Sequence, residues 1–252
     1  MAFMTIPSYL PKSSVTGGIR KGRVPQEGDA RARGLQYGDV REHILRDPLF
    51  HEASALAAGR SLLNEQCGLN LFLIFRFFLS TLPSGNIIEF GSYKGGTAIF
   101  MAALSARMGL DSHIWALDTF AGMPPTDKGV DAHTAGDFSD TQYEELSAYI
   151  KSTGLTNITL VRGRFEDTMQ QVRRDAGRFR LAHIDCDIYP AVAFSYDQVR
   201  NLMVPGGYLI FDDPLVSTCL GALEAVEELA VRRDGLHAEQ GYPHLVFRSG
   251  LA

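Results

Sequence analysis

A chain of 252 residues that is 45% hydrophobic and 21% charged has enough apolar mass for one globular domain with a sizeable core, or one domain with a small appendage. A net charge of −5, a pI near 5.8 and the lack of a basic tract argue against nucleic acid as the main partner. The scattered cysteines Cys67, Cys186 and Cys219 make neither a zinc spacing nor an even disulfide set, so a reducing, cytoplasmic setting is expected.

The N-terminus "MAFMTIPSYLPKSS" has no long apolar stretch and makes a poor signal peptide. Residues 1–45, rich in Gly, Pro, Arg and Lys, show no apolar periodicity and read as an extended arm or lid. The remainder, 46–252, is the expected domain. Helical patterning begins at "DPLFHEASALAAG" and continues through 61–82 to the turn cluster "PSGN". Within it "LNLFLIFRFFL" (69–79) is too short to span a bilayer and contains Arg76. A buried helix is expected there, with a subunit contact of a homodimer or higher homo-oligomer, and no membrane partner.

A regular alternation follows. The strands "NIIEF" (86–90), "HIWALD" (113–118), "NITLVRG" (157–163), "FRLAHID" (179–185) and "GGYLIFDD" (206–213) are separated by helical patterns, and "LHAEQ" and "HLVFR" close the chain. Such alternation without repeats predicts an α/β protein with a doubly wound, mostly parallel sheet, whose ligands sit outside the carboxyl ends of the strands.

The first strand runs into "EFGSYKGG" (89–96), a glycine turn that departs from G-x-G-x-x-G and lacks the Gly-Lys-Ser/Thr of a phosphate loop. It reads either as a plain strand–helix turn or as a cradle in which Gly91, Ser92, Tyr93 and Gly95 approach a ligand. Glu89 decides against a pyrophosphate if its carboxylate points into the turn, where it would suit a cationic amino and sulfonium ligand such as S-adenosyl-L-methionine. Asp118, ending the second strand beside Thr119, is placed to accept hydrogen bonds from ribose hydroxyls. After the third strand, Phe165 either contacts an adenine ring or packs in the core, and Glu166 is placed to meet the ring's polar edge.

Two strands end in paired aspartates, "IDCDIYP" and "YLIFDDP". With "IIEFGSYKGGTA", "LDTFAGMP", "GDFSDT" and "RGRFEDT" they occur in an order that resembles the macrocin O-methyltransferase family over about residues 55 to 235. The resemblance implies a Rossmann-like class I methyltransferase with a seven-stranded sheet whose last strand is antiparallel. It implies S-adenosyl-L-methionine and a divalent metal, usually Mg2+, as cofactors, and a hydroxyl of a small metabolite, a sugar or polyketide-type intermediate, as acceptor. Matched position by position, Asp185, Asp212 and Asp213 fall on the metal ligands, with Asp185 also near the donor, and Asp187 on the general base. The residue chemistry agrees: carboxylate oxygens suit a hard cation, and several carboxylates in one crevice repel without one.

Plainer roles stay open. Asp213 before Pro214 could cap a turn, and Asp187 could be a surface acid. His183 reads as a hydrogen-bonded core histidine. His133, in the long polar segment 122–141, reads equally as a surface residue or a substrate contact within a lid. The chain departs from the family pattern at Cys186 (glycine there), Pro190 and Ala191 (Glu and Ser/Thr) and Pro214 (Tyr), all on the acceptor side. An NAD-linked oxidoreductase and a non-catalytic binding protein on the same fold are the alternatives.

Overall fold

The computed structural model describes residues 40–250. Most of the expected N-terminal arm, residues 1–39, lies outside them, and its last residues already open helix α1 (Val40–Arg46). Helix α2 (Pro48–Ala57) starts where Asp47 accepts the Leu49 N–H at 2.9 Å and Pro48 supplies the fixed φ of a first turn. The helical pattern expected to run unbroken into 61–82 is interrupted. Gly59 takes φ +73°, a short loop follows, and Asn64 accepts the Cys67 N–H at 2.9 Å to start α3 (Glu65–Leu73). That helix continues through a wide turn at Ile74–Phe78. Leu69, Leu71, Phe72, Ile74, Phe75 and Leu79 are buried, while Phe77 and Phe78 face outward.

The strands are β1 (Asn86–Phe90), β2 (Ile114–Asp118), β3 (Ile158–Arg162), β4 (Phe179–Ile184), β5 (Met203–Phe211), β6 (Ala238–Gln240) and β7 (Leu245–Arg248). They form one sheet in the order β3-β2-β1-β4-β5-β7-β6, with β1 to β5 parallel and β7 antiparallel to β5. The intervening helices are α4 (Gly96–Arg107), α5 (Tyr143–Thr153), α6 (Phe165–Ala176), α7 (Tyr189–Val199) and α8 (Leu220–Ala225), the last extended through Arg233. The seven-stranded sheet with an antiparallel seventh strand is the architecture expected from the sequence.

Alternate residues of the central strands serve two apolar layers. Ile88, Phe90, Ala182, Ile184, Leu209 and Phe211 pack in one, and Ile87, Ala116, Leu181 and Ile210 in the other, with α3 and α4. Both faces are covered, as a parallel sheet requires. Among the described residues no helix is long and apolar enough to cross a membrane.

Pairing registers set the site. Glu89 pairs with His183, and His183 with Ile210. Beyond the last β1–β4 pair, the Asp185 N–H donates to Phe90 O at 2.9 Å, and the Asp212 N–H to Ile184 O at 3.1 Å. The sheet therefore extends just far enough to set Asp185 and Asp212 side by side. Phe211 pairs with Leu245, so His244 arrives next to Asp212 from the returning strand.

Candidate active site at the carboxyl ends of the strands

A crevice of about 460 Å³ opens above β1, β2, β4 and β5. Its walls include Gly91, Ser92, Tyr93, Asp118, Thr119, Phe165, Glu166, Asp185, Asp187, Asp212 and Asp213. Eleven of the residues singled out in the sequence, from the ends of five different strands, thus meet around one space.

The glycine turn is shaped by contact with β4. A Cβ on Gly91 would lie 1.6 Å from the Asp185 carbonyl oxygen, and its φ is +88°. Only glycine lets the two strand ends approach this closely. Asp118 ties the turn to β2: one carboxylate oxygen accepts the Tyr93 N–H at 2.8 Å and the other the Phe120 N–H at 2.7 Å. Burial raises its pKa, partly offset by these N–H donors. Each oxygen retains acceptor capacity toward the crevice. Ser92 is buried and its hydroxyl has no partner within the protein, an orphan that fits a polar ligand at this wall. Phe165 stands edge-on to Phe90 with centroids 5.2 Å apart, so it both packs on the core and lines the crevice. Glu166 sits at the rim, 3.5 Å from Arg164.

Two residues are elsewhere. Glu89 does not point into the turn: it is fully buried beneath it, with Oε1 3.3 Å from His183 Nδ1. The expected selection against pyrophosphate by this carboxylate therefore has no geometric basis. With both faces of β1 covered, side-chain parity was not readable from hydrophobicity. Gly95 faces Leu146, 2.8 Å from where a Cβ would stand, and serves the α4–α5 packing rather than a ligand. His183 is a core residue as expected, but its ring nitrogens make no hydrogen bond; Glu89 and, edge-on, the ring of His244 surround it.

At the floor, carboxylate oxygens of Asp185, Asp212 and Asp213 lie within 4.8 Å of one another. Burial, then the Asp212, Asp213 and Asp187 carboxylates, pushes the Asp185 carboxyl well above its ordinary range. Burial, then Asp187 and Asp212, does the same to Asp213. Burial also acts to raise Asp212, but His244, with Nε2 2.9 Å from Oδ1, overrides it and holds this carboxyl low. His244 is fully buried and its Nδ1 lies 2.9 Å from the Asn70 amide nitrogen. A cluster of anions forced together out of water is the donor set of a hard divalent cation, so these residues fit Mg2+.

Asp187 adopts φ +62°, a left-handed conformation uncommon for a non-glycine residue. Its N–H donates to Asp213 Oδ2 at 2.7 Å. Burial raises its carboxyl despite the opposing influence of His133 and Cys219. His133 belongs to the site rather than to the open surface, 3.6 Å from Asp187. Reading the sequence missed Asp131, His244 and Cys219. Asp131 is buried in the 122–141 segment and caps α7 by accepting the Tyr189 N–H at 2.9 Å. An isolated acid, a His near the C-terminus and a lone Cys carry no local signal; each gains its role from pairing distant segments.

The sheet order and a crevice at the strand ends define a class I methyltransferase fold. Among solved structures, the calicheamicin methyltransferase CalS11 superposes with a TM-score of 0.61 over 94% of this chain and 100% of that one at 16% identity. The O-methyltransferase NovP gives 0.60 over 71% and 78% at 19% identity. The chain belongs to the macrocin-O-methyltransferase (TylF) family, whose model matches residues 79–234. It is 27% identical over 149 residues to the 8-demethyl-8-(2,3-dimethoxy-alpha-L-rhamnosyl)-tetracenomycin-C 4'-O-methyltransferase of Streptomyces olivaceus, covering 55% of this chain and 56% of that protein. It is 28% identical over 156 residues to the mycinamicin III 3''-O-methyltransferase of Micromonospora griseorubida, covering 57% and 59%. The chain thus matches less than two thirds of the length of these curated relatives.

Proposed function

We propose that this protein is an S-adenosyl-L-methionine-dependent, Mg2+-dependent O-methyltransferase acting on a hydroxyl of a small natural-product metabolite, with a sugar hydroxyl favoured by the names of its relatives. The observation that carries this reading is the carboxylate group of Asp185, Asp212 and Asp213 on the floor of a crevice whose wall is the glycine turn. The donor supplies an electrophilic methyl on a cationic sulfur, and the cation makes a hydroxyl held against it more acidic.

The chain's own residues do the rest. Gly91 and Ser92 let the donor approach, while Asp118 and Thr119 offer acceptors to its ribose. Phe165 offers an aromatic face for the adenine and Glu166 a polar rim. Asp185, Asp212 and Asp213 hold the cation. The raised carboxyl of Asp187 takes the hydroxyl proton. Holding the acceptor in line with the methyl group removes much of the entropic barrier.

The three free, buried cysteines suit a cytoplasmic setting. A homo-oligomer would bury Phe77 and Phe78, exposed by 59% and 48%, and light scattering checks that mass.

The test is methyl transfer from labelled donor to a panel of hydroxylated metabolites, with rate followed against Mg2+ concentration. Asp212→Asn should raise the Mg2+ requirement by removing a ligand charge. Asp187→Asn should leave that requirement nearly unchanged while turnover falls roughly 10²–10⁴-fold. Full turnover in excess chelator would remove the metal, and a fully active Asp187→Asn would remove the base.

A further inference from the structure

Beside the carboxylate floor, three side chains from distant segments converge on one point: His133 from the 122–141 segment, Asp187 after β4, and Cys219 just before α8. His133 Nε2 is 3.5 Å from Cys219 Sγ, Cys219 Sγ is 3.6 Å from Asp187 Oδ1, and Asp187 Oδ1 is 3.6 Å from His133 Nε2. The three atoms form a nearly equilateral triangle. A tetrahedral ion with bonds of roughly 2.0 Å to N and O and 2.3 Å to S would set its ligands about 3.3–3.6 Å apart.

Hydrogen bonding alone does not account for all three edges. A thiol has one proton and can satisfy either the imidazole or the carboxylate. The remaining edge then sets an acceptor nitrogen against a carboxylate oxygen, with nothing positive between them. Which ring nitrogen bears the proton follows from the other side of His133. Its Nδ1 lies 3.3 Å from Asp137 Oδ2. That carboxylate is itself fixed by the Thr134 N–H and hydroxyl, each at 2.9 Å. The Thr134 donors hold Asp137 below the usual carboxylate range, and this carboxylate accepts a hydrogen bond from Nδ1–H. The Nε2 lone pair is left facing the triangle. A carboxylate behind a histidine in this way is the second shell of many metal sites. Asp187 is held equally firmly through its N–H to Asp213. An entry path exists because Asp187 lines the crevice.

We propose that His133, Asp187 and Cys219 bind a borderline-soft divalent cation, Zn2+ above all, in three positions of a tetrahedron whose fourth opens to the crevice. The mixed N, S and O donors separate this site from the all-oxygen floor, which suits Mg2+. Binding replaces the thiol proton, which leaves to solvent. The ion would tie the 122–141 segment to the turn before α8 and occupy Asp187 Oδ1. Where Asp187 is the base of the proposed methyl transfer (a consequence that rests on that reading), zinc added over saturating Mg2+ lowers turnover.

The test uses Co2+ as a spectroscopic stand-in, titrated into the metal-free chain of 252 residues. Thiolate-to-cobalt charge-transfer absorption should appear, be displaced by Zn2+ and persist in excess Mg2+. It should survive Cys67→Ser and vanish in Cys219→Ser. His133→Ala and Asp137→Asn should each weaken Co2+ binding by about tenfold or more, and they carry the test if Cys219→Ser does not fold. A wild-type titration without the sulfur band overturns the site. So does a band lost with Cys67→Ser instead, which would place the ion with Cys67, Asp212 and His244, or full Co2+ affinity in His133→Ala. The spectrum needs no substrate. A protein that fails to transfer methyl groups yet shows the band refutes only the catalytic reading, and Mg2+-dependent turnover without the band refutes only this site.

Discussion

The Asp187 N–H donates to Asp213 Oδ2 at 2.7 Å, so a residue of the carboxylate floor also fixes the turn that carries the candidate base. This coupling predicts two opposed effects for Asp213→Asn. The amide oxygen still accepts from Asp187, while one charge is removed from a cluster in which Asp213 is pushed well above the ordinary range by burial and by Asp187 and Asp212. In chelator the variant should melt no lower than the parent. With Mg2+ the parent should gain stability by mass action and the variant should gain much less. Thermal melts under both conditions check this; equal Mg2+ stabilisation of the two proteins would remove Asp213 from the floor.

Gly91 is the position where backbone meets backbone. The Cβ of Gly91→Ala would lie 1.6 Å from the Asp185 carbonyl oxygen, at φ +88°. Neither atom can rotate away, so the strand ends must part. Overpacking and left-handed strain together should cost about 3 kcal/mol or more. Gly154→Ala has a similar φ of +74° but nothing within 4 Å, and should cost only about 1 kcal/mol. Urea denaturation of the two variants separates contact from strain, and equal losses would refute the contact.

His244 acts on the floor from behind. It holds Asp212 low against burial, and its Nε2 is 2.9 Å from Oδ1. His244→Phe fills similar space without the nitrogens. It should weaken Mg2+ or Mn2+ binding by roughly 10–100-fold, typical of removing a residue that orients a ligand. His244→Gln, keeping a donor, should recover part of it. Calorimetric titration of the metal decides, and unchanged affinity in His244→Phe would leave this histidine a packing role only.

The strands and their mostly parallel, helix-alternating class were legible because buried parallel strands are short apolar runs between turn signals. The aspartates were legible because acids at strand ends break those runs: Asp185, Asp212 and Asp213 stand together as their positions suggested. Glu89 was not, since a strand covered on both faces has no amphipathic parity to read. Nor was the stop before Asn64, where a glycine and a capping side chain overrode apolar periodicity. The approach of His133 to Cys219 across 86 residues of chain depends on where a long loop settles, which local spacing does not encode.

Asp118 has a bracing role besides the ribose recognition proposed for it. It accepts the Tyr93 N–H at 2.8 Å and the Phe120 N–H at 2.7 Å, so it shapes the glycine turn while lining the crevice itself. Asp118→Ala leaves two N–H groups without that acceptor and removes the ribose acceptor together. Each unsatisfied buried donor costs about 1–3 kcal/mol, so the variant should lose stability in urea. It should also bind S-adenosylhomocysteine less tightly by roughly 1–3 kcal/mol, about 5- to 150-fold. Asp118→Asn distinguishes the two roles. Its single oxygen can serve one N–H, and its amide nitrogen repels the other. It should therefore fall between wild type and alanine in stability, while keeping some hydrogen bonding to ribose. If alanine lowers stability but leaves S-adenosylhomocysteine affinity at the wild-type value by calorimetry, Asp118 braces the turn and the ribose assignment is wrong.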